Sequence, residues 1–175
     1  TVTFPAKFML VSSMNPCPCG FYGHPSKQCR CTPSQITRYL SRISGPLLDR
    51  FDIHIEVPPV TYDKLSGQSH AESSNTIRKR VNSARQVQVE RYKNEGIFYN
   101  AQLCHRQILK YCQLDEHSSQ MLKTAFDALN LSARAFDRIL KVARTIADLD
   151  QCLKIKDQHL AEAIQYRSLD RQYWL

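Results

Sequence analysis

Two hydrophobic rhythms divide this chain. Residues 8–11, FMLV, form a short unbroken apolar run followed by SSMN, the pattern of a strand covered on both faces in a parallel sheet. In residues 51–57, Phe51, Ile53, Ile55 and Val57 alternate with Asp52, His54 and Glu56 before Pro58-Pro59, which is the two-residue period of a second strand. Between them Thr32, Pro33 and Gln35 have the spacing of an N-cap, a first helical residue and the far side of a capping box. Ile36, Leu40 and Ile43 continue that helix as one apolar stripe, and Gly45-Pro46 is expected to stop it.

Over 60–74 the composition turns to Ser, Gly, Gln and His, which predicts a linker. Everything after it has a helical period. Ile77, Val81, Ala84 and Tyr92 share a stripe of a helix over about 75–93, Gly96 interrupts the pattern, and further helices are expected over about 102–112, 116–129, 133–148 and 156–166. The order predicts an α/β unit over 1–59, the end of a parallel sheet with helices, then the linker and an all-α bundle over 75–175. Two strands are too few for an ordinary sheet, so their neighbours are expected in chain that precedes residue 1.

The chain has 175 residues, 42% of them hydrophobic, and no apolar run long enough to cross a bilayer, which suits one or two soluble domains and no membrane partner. Its start lacks both an initiating Met and the flanks of a signal peptide, so a cytoplasmic chain or a cut fragment is expected. A net charge of +8 suits an anionic partner such as nucleic acid or nucleotide, and equally suits a basic protein kept soluble by its charge.

Cysteine placement changes the picture more. Cys17-x-Cys19 and Cys29-x-Cys31 have nine residues between them, while Cys104, Cys112 and Cys152 are scattered. Four thiolates are the ligand set of a closed structural zinc site, and two local pairs lose little entropy on assembly. Paired ligands in such sites more often have two to four residues between them, and His24 in the loop is a possible substitute ligand. The alternatives are four reduced cysteines or two disulfides. Metal is favoured because residues 17–31, with Gly20, Gly23 and several prolines, carry little apolar material to hold them folded.

Asn15 ends the first apolar run, where ligands sit in open α/β sheets. Its amide can orient a water or contact a phosphate, although an asparagine before proline also starts turns. Arg50 follows GPLLD on a short turn and can neutralise charge on a neighbouring subunit's γ-phosphate, or pair with Asp49 or Asp52. In LSARAFDRILKVARTIADL, Phe136, Ile139, Leu140, Ala143, Ile146 and Ala147 share one face and Arg134, Arg138 and Lys141 the opposite one. That basic face is either solvated or closed over a nucleotide. Helix 75–93 carries Arg78, Lys79, Arg80, Arg85, Arg91 and Lys93 against Glu90 alone, a solvated surface or a contact for a phosphate backbone.

FPAKFMLVSSMNPCPCGFYG, CRCTPSQITRYLSRISGPLLDRFDIHIEV, LSARAFDRILKVARTIADL and HLAEAIQYR, taken in order, resemble the C-terminal half of magnesium-chelatase-like AAA+ ATPases of the ComM/YifB type. The set is also similar, more loosely, to the magnesium-chelatase ATPase subunit and the MCM helicases. The resemblance implies that Asn15 is the sensor that positions the attacking water, Arg50 the arginine finger given to the next subunit, and Arg134 the arginine of the helical lid, with Arg138 as a second lid contact to nucleotide. It further implies ATP and magnesium as cofactors, a homo-oligomeric and usually hexameric ring, and DNA branch migration in natural transformation, a helicase-like task. The family's P-loop and magnesium-binding acidic strand lie upstream of the matched part, and the five glycines here, at 20, 23, 45, 67 and 96, cannot supply a P-loop. This chain alone is therefore expected to hydrolyse no ATP. Two other readings stay open: the ATPase subunit of magnesium chelatase itself, and a non-catalytic zinc-stapled module that binds nucleic acid.

Overall fold

In the computed structural model, which describes residues 1–4, 6, 8–60, 62, 66 and 71–167, the helices begin where side chains close their first turns. Thr32 Oγ1 accepts from the Gln35 backbone N–H at 3.3 Å while Gln35 Oε1 accepts from the Thr32 N–H at 2.9 Å, and this capping box opens α1, Pro33–Leu40. A short α2, Gly45–Leu48, follows with Pro46 in its first turn. Ser73 caps α3, Ser74–Tyr92. A 3-10 turn at Asn100–Gln102 precedes α4, His105–Tyr111. Asp115 caps α5, Glu116–Leu129, which ends on Asn130 in the left-handed region at φ 45°. Ser132 caps α6, Ala133–Leu149. In α7, Asp157–Gln165, His159 Nδ1 turns back to accept from the Lys156 N–H at 3.0 Å.

The described residues form two compact units, Thr1–Ile43 and the chain from Ser44 on. In the second unit α6 is the central element: α3, α4, α7 and the 3-10 turn all pack on it, and α7 also meets α5. Ile139, Leu140, Ala143 and Ala147 of α6 join Tyr92, Ile108, Leu122, Leu131, Ile155 and Leu160 in one core. Only the C-terminal half of α3 takes part. Ala84, Gln88 and Tyr92 are buried, but Ile77 and Val81, expected on the same stripe, are each 41% exposed.

Several expectations need correction. No strand forms among the described residues, so the parallel-sheet end of an α/β core is absent there. Residues 8–11 and 51–57 lack ladder partners, and without them an apolar segment stays open to water: Met9 is 86% and Val11 85% exposed, and Val57 is 81% exposed. Gly45-Pro46 opens a helix rather than stopping one, since proline is tolerated in a first turn, and α1 already ends at Leu40. The helix expected over 102–112 is split into the 3-10 turn and α4. Most of the linker expected over 60–74 lies outside the described residues.

A second feature of the core is polar, and the hydrophobic pattern gave no sign of it. Asp148 is fully buried near the end of α6. Arg91 of α3 grips its carboxylate with both terminal nitrogens, at 2.9 and 2.5 Å, and Arg144 Nε donates to it at 3.2 Å. Asn100 Nδ2 adds a bond at 2.9 Å and donates equally to Thr145, while Tyr92 OH donates to Asn100 Oδ1 at 2.7 Å. The remaining Arg144 donors reach the carbonyls of Cys152 and Leu153. Burial works against the Arg91 charge, but its bonds to Asp148 prevail and hold the guanidinium above its usual value. For Arg144, burial together with the like charge of Arg91 outweighs the attraction of Asp148 and draws it below its usual value.

Such a cluster is costly to break, because removing one charge leaves the others buried and unpaired. Asp148→Ala is expected to destabilise the helical unit by about 3–5 kcal/mol. Arg80→Ala, which deletes an exposed pair with Glu72, is expected to cost less than about 1 kcal/mol. Urea unfolding followed by circular dichroism checks this, and equal midpoints for the two variants contradict it.

Candidate metal centre and exposed arginines

Residues 17–31 fold around their thiols. The turn closed by the Gly20 N–H on the Cys17 carbonyl at 3.0 Å needs Gly20 at φ 79°, a conformation side chains rarely adopt, and it brings Cys17 and Cys19 onto one side of the loop. Their sulfurs lie 3.4 Å apart, and Cys29 Sγ lies 3.7 Å from Cys17 and 3.5 Å from Cys19. With Cys31, all four sulfurs fall within 4.8 Å of one another, and all four cysteines are free thiols. A zinc–thiolate bond of about 2.3 Å sets the edge of a tetrahedron at about 3.8 Å, so the donor set suits one tetrahedral divalent ion. Cys17 is buried and the other three are half-buried, which limits the approach of water.

Electrostatics within the cluster point the same way. Backbone N–H groups of Arg30 and Phe21 stabilise one thiolate and bring Cys19 down to about 6. Loss of water and the neighbouring thiols push Cys31 up to about 12. For Cys29 the backbone bond from Cys31 favours the thiolate, yet loss of water and its sulfur neighbours prevail, and its value is raised. One thiolate forms readily and the next is opposed by like charge, the condition that a bound cation relieves. His24 is not a member of the cluster: its Nδ1 accepts the backbone N–H groups of Ser26 and Lys27, each at 3.1 Å. Asn15 is exposed at the loop's entrance, and its side-chain amide lies 3.8 Å from where a Cβ on Gly20 would stand. Of the scattered cysteines, Cys112 is buried, Cys152 half-buried and Cys104 exposed, and burial pushes Cys112 up to about 11.

In the second unit most arginines already have partners. Arg138 pairs with Asp52, and the buried Arg167 reaches Asp49 at 3.2 Å and the Phe51 carbonyl. Ser132, the cap of α6, donates to Asp49 at 2.8–2.9 Å. Lys141 Nζ binds the Ala101 carbonyl at 3.1 Å, and burial lowers its pKa. Arg50, Arg78, Arg85, Arg106 and Arg134 hold no carboxylate among the described residues, and two of these, Arg50 and Arg134, flank the Asp49–Ser132 contact. Arg50 is exposed and donates to the Pro46 carbonyl at 2.6 Å, and among the described residues it pairs with neither Asp49 nor Asp52. Arg134 is exposed on the first turn of α6 and has no ion pair or hydrogen bond among the described residues. Both lie within two residues of the Asp49–Ser132 bond, which ties the turn of one to the helix start of the other.

Helix α3 is less open than its sequence suggests. Arg78 and Lys79 are exposed, but Arg80 holds Glu72 through two bonds at 2.8 and 3.1 Å. Arg85 lies over the Tyr99 ring at 5.7 Å, and Arg91 belongs to the core. Among the described residues no helix is long and apolar enough to cross a membrane.

Comparison with known proteins gives two adjoining family matches: "Magnesium chelatase, subunit ChlI" over residues 1–65 and "Magnesium chelatase, subunit ChlI C-terminal" over residues 71–167. The uncharacterized protein YifB of Salmonella typhimurium is 46% identical over 97% of this chain and 33% of its own length. YifB of Escherichia coli is 45% identical over the same shares. The competence protein ComM of Haemophilus influenzae is 43% identical over 97% of this chain and 32% of its own. The chain thus spans about a third of the length of the curated relatives it matches.

Protein purified without chelator is expected to carry about one zinc per chain. Cys17→Ser together with Cys29→Ser is expected to abolish it and to leave residues 17–31 open to proteolysis. Metal analysis of both preparations checks this, and a metal-free unaltered protein contradicts it.

Proposed function

The chain belongs to the magnesium-chelatase ChlI family of the ComM/YifB type, and from that membership we propose that it is the sensor, arginine-finger and lid portion of an AAA+ ATPase that couples ATP hydrolysis to DNA remodelling. One observation carries the reading: in a unit whose other α6 cations are engaged, Arg50 and Arg134 are exposed and held by no carboxylate. A cation kept solvated and unneutralised, on elements whose backbone is pinned by Asp49 and Ser132, suits an anion that comes from elsewhere.

In this reading Asn15 positions the attacking water, Arg50 reaches the γ-phosphate in the neighbouring protomer, and Arg134 closes on the nucleotide from the lid. Phosphoryl transfer needs little covalent help from the protein; it needs charge opposite the transferring group, and two guanidiniums from different elements supply that. Arg138 contributes less than its position on the helix suggests, because Asp52 already neutralises it. ATP and magnesium are held by the rest of the parent protein, a cytoplasmic ring of identical protomers, hexameric in this proposal. Zinc on Cys17, Cys19, Cys29 and Cys31 supplies structural cross-linking and no chemistry.

DNA is preferred to a porphyrin as the object of the work. The relative named for competence supports it, as does an excess of basic residues that includes the exposed Arg78 and Lys79. A porphyrin-loading subunit has no evident use for either the basic surfaces or the cysteine cluster.

Arg50→Ala in the full-length protein is expected to lower ATP turnover by roughly a thousandfold while nucleotide binding stays within about threefold of the unaltered protein. Steady-state ATPase assays and equilibrium titration with a fluorescent ATP analogue check the two halves. Unchanged turnover rejects the finger.

A further inference from the structure

The first acidic residue of the chain is Asp49. Ahead of it stand Lys7, Lys27, Arg30, Arg38 and Arg42, so the Thr1–Ile43 unit contains five side-chain cations and no carboxylate. Four thiolates around a divalent metal add a formal charge of about −2, which leaves the unit positive even when loaded.

The cations are not spread evenly. Arg38 on α1 and Arg42 just beyond its end are four residues apart and share a helical side. Arg30 stands between Cys29 and Cys31. Together with Tyr39, Gln35 and Pro18 these arginines line an open groove of about 650 Å³ beside the thiol cluster. All three arginines are exposed, and among the described residues none of their guanidiniums has an ion pair or hydrogen bond. In the helical unit, by comparison, Arg80, Arg91, Arg138, Arg144 and Arg167 each hold a carboxylate, while Arg50, Arg78, Arg85, Arg106 and Arg134 hold none among the described residues.

We propose that this groove, formed by the cysteine loop and α1, is a binding site for the phosphodiester backbone of single-stranded nucleic acid, with Tyr39 offering a ring edge or face to a base. The chemistry favours that ligand over a free nucleotide. Three guanidiniums along an open groove follow a chain of separated phosphates, whereas a single triphosphate calls for an enclosed cradle of backbone N–H groups. Arginine also combines charge with planar stacking, which suits a strand whose bases are unpaired. The metal cluster then has a purpose beyond stapling: by fixing Cys29 and Cys31 it fixes Arg30, between them, against α1. The inference rests on the DNA reading above, but it places the contact on a different surface from α3.

The test uses the zinc-loaded chain and fluorescein-labelled oligothymidylate, with anisotropy read across a salt series. The substitutions Arg30→Gln, Arg38→Gln and Arg42→Gln, made together on exposed positions, are expected to weaken binding at least about tenfold and to make the salt slope shallower by about 2, the value for three lost phosphate contacts on a single strand. The matching triple replacement by Lys is expected to stay within about threefold of the unaltered chain. Zinc content should not change in either variant, which separates lost charge from lost folding. Unaltered affinity of the Gln variant, with a loss instead when Arg78, Lys79 and Arg80 become Gln, overturns the groove and leaves the DNA reading standing. Failure of the unaltered chain to bind at low salt overturns the groove as a site, and branch migration by the full-length protein then decides the DNA reading separately. Polyglutamate bound as tightly as the oligonucleotide overturns the assignment to nucleic acid.

Discussion

A buried carboxylate holds the helical unit together. Asp148 draws Arg91 from α3, Arg144 from its own helix and Asn100 from the 3-10 turn to one point, and that convergence fixes how α3 and the loop before α4 sit on α6. Apolar packing alone leaves helices some freedom to slide, since similar side chains exchange places at small cost. A charge cluster whose donors are nearly all used has one arrangement, and any other leaves an ion in a dry interior. The position of α6 follows from it, and with α6 the position of its first turn. Ser132 and Arg134 are in that turn, at the opposite end of the helix from Asp148.

From there the constraint passes to residues 49–54. Asp49 binds Ser132 and Arg167, Asp52 binds Arg138, and the His54 N–H donates to the Tyr166 carbonyl at 2.9 Å. The segment expected to be a strand is instead held to the helical unit by the Asp52 side chain and by its backbone at Phe51 and His54. Arg50 stands just ahead of that segment. A division of labour among arginines results: those with carboxylates position the backbone, and those without them keep their charge available. The Thr1–Ile43 unit has no carboxylates, so every guanidinium in its groove belongs to the second class.

The helices were largely legible because their signals are local. The helical period placed α5 at 116–129 and started α6 at 133, as found, and the capping box of Thr32 and Gln35 formed as read. The thiol cluster was legible too, since close spacing in sequence forces closeness in space. What escaped were interactions that join distant residues. Arg91 looked like one more cation on a basic helix, and Asp148 like an ordinary charge near a helix end, because nothing local distinguishes an exposed charge from one whose partner lies 57 residues away. The strands failed for a related reason: alternation shows that a segment can pair, but pairing needs a neighbour. Ile77 and Val81 keep their apolar pattern yet stay 41% exposed, so a stripe marks a capacity for burial and the tertiary structure decides whether it is used.

Whether Arg50 serves a triphosphate held by another protomer is decided most directly by mixing two inactive full-length proteins, one carrying Arg50→Ala and the other a replaced P-loop lysine. A finger given across an interface predicts that the mixture regains ATP turnover, because intact nucleotide sites of the first protein meet intact arginines of the second. If neither protein turns over ATP alone and the mixture, shown to form common rings, stays equally inactive, Arg50 does not act across the interface and the account is wrong at its centre.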